Sequence, residues 1–181
     1  MNMFYLSESA QDCAVWAVDS HCVKMILEAS QLLSTAHRLL DGVPYTDKTK
    51  TGRNVQRWRL PDDRETILYS ATHVNHPCAI WCRETRENYF WLHEYLVEHC
   101  DEYTYRYGKV HKVERDGLLT ALMSAPNNIS NGQKTLPPSA MDAKYIISED
   151  PIINYRNYYK VGKTHLHRWK NRQPPEWIKD P

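Results

Sequence analysis

The stretch from Asp19 to Gly42 constrains this chain most, because its residues repeat with the period of a long α-helix. Asp19 or Ser20 is suited to cap a helix from about His21 to Leu40, and Asp41-Gly42 is a typical helix end. Polar side chains occupy one sector of this helix about 100° wide. That sector contains His21, Lys24, Glu28, Gln31, Thr35 and Arg38. The wide apolar remainder predicts packing on several sides, with the polar stripe facing a cleft.

Three residues of this stripe form the candidate catalytic group. His21, Lys24 and Glu28 are spaced i, i+3 and i+7, so they stack on one face of the helix. A carboxylate beside an amine and an imidazole is suited to proton transfer or to stabilising a cation. The same spacing is also typical of a plain solvated stripe with a Lys24–Glu28 ion pair.

The remaining segments predict a mainly α, single-domain, compact helical bundle with long loops over residues 1–181. Residues 3–6 are too short for a helix and form either a strand or an anchored arm. Further helices are predicted at 9–18, 84–106, 111–124 and 151–160, with a short one beginning at Pro77. The other segments are a basic, polar loop at 43–65, an extended connection at 125–150 and a tail without regular structure.

Charge and cysteine content limit the function classes. A formal net charge of +1 excludes a global basic field, so nucleic-acid binding has to come from local patches. Five cysteines, an odd number, without a signal peptide predict reduced thiols and a cytoplasmic protein, in the host cell if it is viral. No run approaches the ~20 apolar residues of a membrane span, so no membrane partner is predicted.

The segment His73-Val-Asn-His-Pro77 is the second candidate site. Two imidazoles, with Cys78 and Cys82 following at helical spacing, would permit a metal, although zinc sites usually show a clearer second ligand pair. No metal is therefore predicted, and the favoured role is hydrogen bonding at a helix N-terminus or lining a pocket beside an anion. The predicted substrate-binding residues are His73, Asn75, His76, Arg83 and Arg38.

Two local patches are basic and contain aromatic residues. Residues 48–59 contain five Lys or Arg and no acid, and residues 151–181 alternate cations with tyrosine and tryptophan. This combination suits phosphate contacts with base stacking, although a solubilising loop and a docked tail have the same composition. The predicted nucleic-acid-binding residues are Arg53, Arg57, Trp58, Arg59, Tyr155, Arg156, Lys160 and Lys163.

Three segments resemble one family, and together they cover 25 of the 181 residues. Asp19-Ser-His21 followed by Glu28 resembles the Asp-x-His…Glu helix of phage pyrimidine-dimer DNA glycosylases of the endonuclease V type. The opening Met-Asn-Met-Phe-Tyr-Leu is similar to that family's N-terminal arm. Residues 155–163 are similar to its aromatic and basic C-terminal tail.

The resemblance implies an all-helical fold, DNA as the partner, no cofactor and a terminal α-amine that attacks C1′ of a flipped nucleotide. Glu28 would stabilise the imine, and His21 and Lys24 would assist. The family nucleophile becomes terminal after methionine removal, for which Asn2 is a poor candidate. Met1, Asn2 or Lys24 would therefore supply the amine.

Three functions remain as hypotheses. The leading one is a DNA-base-processing enzyme, a glycosylase with lyase activity on damaged or modified bases. The second is a small-molecule enzyme acting on a nucleotide-like phosphate through the His73–Arg83 segment. The third is a non-catalytic protein that binds nucleic acid or a host protein, for which Glu28 would be dispensable.

Overall fold

A computed structural model describes residues 1–179 and is mainly α, as predicted. Two long helices, α2 and α5, pack against each other and carry most of the core. The helices are α1 (Ala10–Trp16), α2 (Asp19–Asp41), α3 (Arg64–Ile67), α4 (Pro77–Glu84), α5 (Arg86–Tyr107), α6 (Lys112–Arg115), α7 (Leu118–Ala121) and α8 (Pro151–Asn157). The strands are β1 (Val43–Lys48) and β2 (Asn54–Arg59).

Helix α2 confirms the main sequence prediction, with one correction at its start. It ends at Gly42, whose N–H bonds to the carbonyl of Arg38. Its N-cap is Val18, so Asp19 is already helical and is not the cap. The Asp19 carboxylate instead accepts hydrogen bonds from Arg106 and from the backbone of Lys170, which joins three parts of the chain.

Helix α5 begins and ends at residues with clear local signals. The Thr85 side chain accepts a hydrogen bond from the N–H of Asn88, and Gly108 ends the helix at φ 63°. Pro77 is the first residue of α4, as predicted. These boundaries depend on capping within a few residues, which explains why the sequence predicted them closely.

The predictions for residues 43–59 and 111–124 differ from the structure. Residues 43–59 form an antiparallel hairpin where a loop was expected, with Val43 paired to Arg59 and Lys48 paired to Asn54. The helix predicted at 111–124 is two short helices, α6 and α7, separated at Gly117. Gly117 adopts φ 81°, which α-helical backbone does not allow.

The N-terminal arm, Tyr155 of α8 and Tyr159 just after that helix lie in one hydrophobic core. Residues 3–6 form an anchored arm and not a strand. Met3, Phe4, Tyr5 and Leu6 are each 5% exposed or less. Residues 125–150 form the expected extended connection apart from a short turn at Ala143–Tyr145.

The C-terminal tail is more ordered than predicted. A π-turn, Tyr158–Gly162, continues from α8, and 3-10 turns follow at Thr164–Leu166 and Glu176–Ile178. The indole N–H of Trp169 donates to the carbonyl of Trp16, and Arg172 binds Glu102 on α5. The tail up to residue 179 is therefore docked on the helices.

Three buried histidines make the fold sensitive to acid. Burial is the main cause that lowers the pKa of His21 to about 3 and the pKa values of His37 and His99 to about 4. In the unfolded chain these imidazoles protonate near pH ~6.5, while the folded chain keeps them neutral. The unfolded state therefore binds more protons, and the free energy of unfolding should fall as pH decreases from about 6.5 towards 4.

Each histidine should contribute a slope of about 1.4 kcal/mol per pH unit within that window. Urea denaturation at neutral pH and near pH ~5 would measure it. His99→Phe should make the dependence shallower by one proton, because it removes one imidazole that takes up a proton only on unfolding. It loses a single hydrogen bond, from Nδ1 to the carbonyl of Tyr95. An unchanged slope in His99→Phe would contradict this assignment.

Candidate active site

The candidate site forms where the N-terminal arm meets α2. Residues 1 and 2 lie beside the middle of α2, and residues 3–6 continue into the core. Burial of these four side chains fixes the direction of the arm, so the first two residues are held at one point on the helix.

Asn2 attaches the arm to two distant segments. Its side-chain oxygen accepts hydrogen bonds from the N–H of Met3 at 2.8 Å and from the hydroxyl of Tyr155 at 2.8 Å. Its side-chain amide donates to the carbonyl of Ala140 at 2.9 Å. Asn2 and Tyr155 are therefore positioning residues. The sequence alone does not indicate this role, because the partners are separated by more than 130 residues and no local pattern connects them.

Glu28 is the central residue of the site and is only 7% exposed. Its Oε2 atom accepts a hydrogen bond from the N–H of Asn2 at 2.5 Å and lies 3.9 Å from the α-amine of Met1. Its Oε1 atom lies 3.0 Å from the Nζ atom of Lys24. One nearly buried carboxylate therefore contacts two amines, each on a different oxygen.

The two amines differ in environment. The Met1 side chain is 3% exposed, whereas the Lys24 side chain is 66% exposed and extends into solvent. A carboxylate held between amines can accept a proton from either one and can stabilise a cation that forms there. The predicted Lys24–Glu28 pair is present, but Glu28 is not a solvated surface residue.

His76 is the histidine whose surroundings include the α-amine and Glu28. It caps α4, because its Nδ1 atom accepts a hydrogen bond from the N–H of Cys78 at 3.2 Å. Its pKa is lowered, first by burial and then by the positive α-amine and His73, while Glu28 opposes the shift. Since Nδ1 accepts this hydrogen bond, the ring hydrogen lies on Nε2. Its predicted role at a helix N-terminus is confirmed.

The loop before α4 holds the other predicted binding residues. His73 has φ 49°, which is uncommon outside glycine, and its Nδ1 atom lies 2.8 Å from the Thr72 hydroxyl. Asn75 is exposed. Arg83 donates a hydrogen bond to the carbonyl of Val74 at 2.8 Å, which ties this loop to α4.

The structure does not place His21 or Arg38 in the site. His21 is buried, stacked on Phe4 at 4.0 Å between ring centroids, with Nδ1 2.6 Å from the Tyr159 hydroxyl. The guanidinium of Arg38 is fully used by Glu65 and by four backbone carbonyls. The polar stripe therefore does not line one cleft, because the residues at its two ends, His21 and Arg38, bind partners inside the fold.

The four predicted DNA-binding residues of the C-terminal segment lie in different environments. Tyr155 is 0% exposed, so its predicted stacking on a base is wrong. The Arg156 guanidinium lies between the Trp16 and Trp177 rings, at 5.2 Å and 5.3 Å. Lys163 lies over the Tyr158 ring, while Lys160 lines a surface cavity of about 580 Å³. Arg156 lines the same cavity, so two of these four residues face it.

The cysteines near this site do not form a metal centre. Cys78 and Cys82 are buried, and burial raises the pKa of both thiols, that of Cys78 to about 12. Within residues 1–179, no three His, Cys, Asp or Glu side chains lie close enough together to hold a metal ion.

Comparison with known proteins does not indicate a function, so the proposal depends on the geometry of the site. No protein-family model matches this sequence, and no curated protein or solved structure is significantly similar to it. No helix in the described part of the chain has the length and apolar character needed to cross a membrane.

Proposed function

We propose that this protein is a DNA glycosylase with abasic-site lyase activity on damaged or modified bases. The observation that supports it is the Glu28 carboxylate, 7% exposed, with the α-amine of Met1 on one oxygen and Lys24 on the other. Amine nucleophiles need a neighbouring group that accepts the proton released on attack and then stabilises the resulting cation.

The reaction begins with a neutral amine whose lone pair attacks C1′ of the damaged nucleotide. The bond between C1′ and the base breaks, and the base leaves with the electron pair and takes up a proton from solvent water. Glu28 accepts the proton that the new C–N bond displaces and returns it to the ring oxygen as the sugar opens, giving a protonated imine. Loss of the C2′ proton to solvent water then expels the 3′-phosphate, and water hydrolyses the imine to release the amine.

The α-amine is the better nucleophile of the two. α-Amines as a class titrate near ~7.7–8.0 and lysines near ~10.4, so roughly a tenth of an α-amine is neutral at pH ~7. Removal of Met1 would not abolish the arrangement, because the nitrogen of Asn2 lies 2.5 Å from Glu28. Either terminus would place an amine beside the carboxylate.

His76 completes the proposed site. It lies near the amine and carries its ring hydrogen on Nε2, so it can donate a hydrogen bond to the departing base or to a phosphate. The exposed side of the site, where Lys24 extends into solvent, is where a flipped nucleotide would enter.

Borohydride trapping should give a covalent adduct between the protein and an oligonucleotide that carries an abasic site. Borohydride reduces the imine to a stable amine, and mass spectrometry of peptides would locate the modified residue. We expect the modification on the terminal residue, with Lys24→Gln still trapped. The intact mass identifies whether that residue is Met1 or Asn2.

A parallel reaction on a thymine-dimer duplex separates the two activities. An adduct on both substrates supports glycosylase and lyase activity, whereas an adduct on the abasic site alone supports only the lyase. Folded protein that forms no adduct on either would remove the imine mechanism.

A further inference from the structure

The hairpin formed by residues 43–59 is mostly exposed to solvent. β1 and β2 pair antiparallel over six residue pairs, and residues 49–53 form the tip. Twelve of these 17 residues are exposed, and the others are at most half-buried. At its base, the guanidinium of Arg38 donates to the carbonyl of Trp58 at 3.1 Å. A two-stranded ribbon without further packing is marginally stable in water, which is typical of an element that meets a partner.

The charge of the hairpin indicates an anionic partner. It carries five cations, with Asp47 as its one acid. None of the ion pairs formed within residues 1–179 involves these five cations. The cations are Lys48, Lys50, Arg53, Arg57 and Arg59.

These cations surround the ribbon. Side chains of directly paired residues share a face, and successive residues alternate. Arg57 and Arg59 therefore lie on one face, Lys48 on the other, and Lys50 and Arg53 at the tip. Arg59 is held over the Tyr45 ring at 4.8 Å. Positive charge on both faces and at the tip suits an element with phosphates on both of its sides.

The edges of the ribbon disfavour pairing with a second copy of this chain. Pro44 lacks a backbone N–H on β1, and charged residues occupy both strands. Proline and charge on an edge strand are features that prevent strand addition. A nucleic acid fits these edges better than another strand does.

The hairpin also begins directly after α2, the helix that carries Glu28. Arg38, which holds the hairpin base, lies in the same helical sector as Glu28 and ten residues further on. At 1.5 Å per residue this separation is about 15 Å along the helix axis. One duplex could therefore contact both the hairpin base and the Glu28 site.

We propose that the 43–59 hairpin inserts into the major groove of duplex DNA and binds the phosphates on both sides of that groove. A major groove about 12 Å wide admits a two-stranded ribbon, whereas the minor groove, about 6 Å wide, does not. The major groove of duplex RNA is too narrow and deep for it. The inference rests on the proposed function, since it takes duplex DNA as the substrate, and it adds how the duplex is held.

Fluorescence anisotropy with the full chain tests the hairpin without requiring catalysis. The probes are an undamaged DNA duplex, the same sequence as an RNA duplex, and the single DNA strand, each titrated over a range of salt. The wild-type chain should bind the DNA duplex most tightly. The double variant Lys50→Gln, Arg53→Gln should weaken that binding about tenfold or more and reduce the salt slope by about 1.8, since each phosphate contact contributes about 0.9.

The matched control is Lys109→Gln, Lys112→Gln, which removes two exposed lysines outside the hairpin. It should leave the affinity and the salt slope close to wild type. Equal losses in both double variants would overturn the proposal, because binding would then depend on total charge. Equal wild-type affinity for duplex DNA and duplex RNA, or self-association that depends on the hairpin in place of DNA binding, would also overturn it.

A second variant tests whether the ribbon sets the preference for duplex DNA. It also removes four of the five cations, so the ratio of the two affinities is compared and not the affinity itself. Replacing residues 45–57 with Asn-Gly, a favoured two-residue turn, removes the ribbon and keeps the contact between Arg38 and Trp58. The variant should lose the preference for duplex DNA over duplex RNA, and a retained preference would contradict groove insertion. A wild-type chain that binds through the hairpin but forms no borohydride adduct would overturn the proposed function and still support the hairpin.

Discussion

Glu28→Gln should reduce borohydride trapping and strand cleavage by at least about 100-fold while the protein stays folded, because general acid–base groups contribute about 10²–10⁴-fold. Glutamine keeps the size of the side chain and an oxygen that can accept the hydrogen bond from Asn2. It cannot accept a proton from the attacking amine or stabilise the imine by charge. The loss should therefore appear in the rate and not in the stability.

The free energy of unfolding should change little in Glu28→Gln. The ionic partner of Glu28 on Oε1, Lys24, is 66% exposed, and exposed partners of this kind contribute little to stability. Thermal unfolding of both proteins would check this. Glu28→Asp, which keeps the charge but withdraws it from the amines, should retain part of the activity.

Glu94→Gln is the control, since Glu94 is an exposed glutamate on α5. It should trap at the wild-type rate. Wild-type trapping by Glu28→Gln would remove Glu28 from the mechanism, even if an adduct still formed at the α-amine. Adduct formation and the role of Glu28 are thus tested separately.

Arg106→Ala should lower the free energy of unfolding by about 3–5 kcal/mol, the range expected when one partner of a buried ion pair is removed. Arg106 is 1% exposed, and its Nε atom lies 2.6 Å from Glu102. Its guanidinium also donates to Asp19 and to three backbone carbonyls at the end of α1. Alanine would leave the carboxylate of Glu102, 3% exposed, with Arg172 as its remaining ionic partner.

Arg106 also stabilises the fold through its hydrogen bonds to the backbone carbonyls at the end of α1. The last turn of a helix has carbonyls without partners inside the helix, and in α1 Arg106 supplies the missing donors. Lysine cannot replace it, because a single ammonium group does not present donors in a planar fork. Arg106→Lys should therefore recover only part of the stability.

Urea denaturation would measure these losses. Arg172→Ala, at a position that is 32% exposed, removes the second partner of Glu102 and should cost less than Arg106→Ala. If Arg106→Ala does not fold, Arg172→Ala still tests the network. Arg115→Ala, 63% exposed on its side chain, should stay within about 0.5 kcal/mol of wild type. A cost below about 1 kcal/mol for Arg106→Ala would show that the network is energetically neutral.

Local sequence signals determined several features that the structure confirms. The end of α2 at Gly42, the start of α4 at Pro77 and the capping role of His76 all depend on residues within one helical turn. The extended connection over 125–150 follows from its prolines and turn residues. Such features are encoded by backbone preference and short-range hydrogen bonds, and distant packing does not alter them.

The hairpin was not predictable from the same signals. Its strands contain few apolar residues, so neither face shows the alternation that marks a half-buried strand. Its ordered register comes from pairing across the ribbon and from the contact of Arg38 at its base. A basic segment of this composition resembles a loop until that pairing is known.

The sequence by itself determined the helical class of the fold, the limits of its long helices and the identity of Glu28 as a candidate. Only the tertiary structure decided which members of the polar stripe reach a site. It buried His21 and Arg38 with internal partners, and it brought Asn2 and the α-amine of Met1 to Glu28. The physical reason is that helical periodicity fixes which side of α2 a residue faces. What covers that side depends on the arm, whose four buried side chains and bonds to Ala140 and Tyr155 join segments distant in sequence.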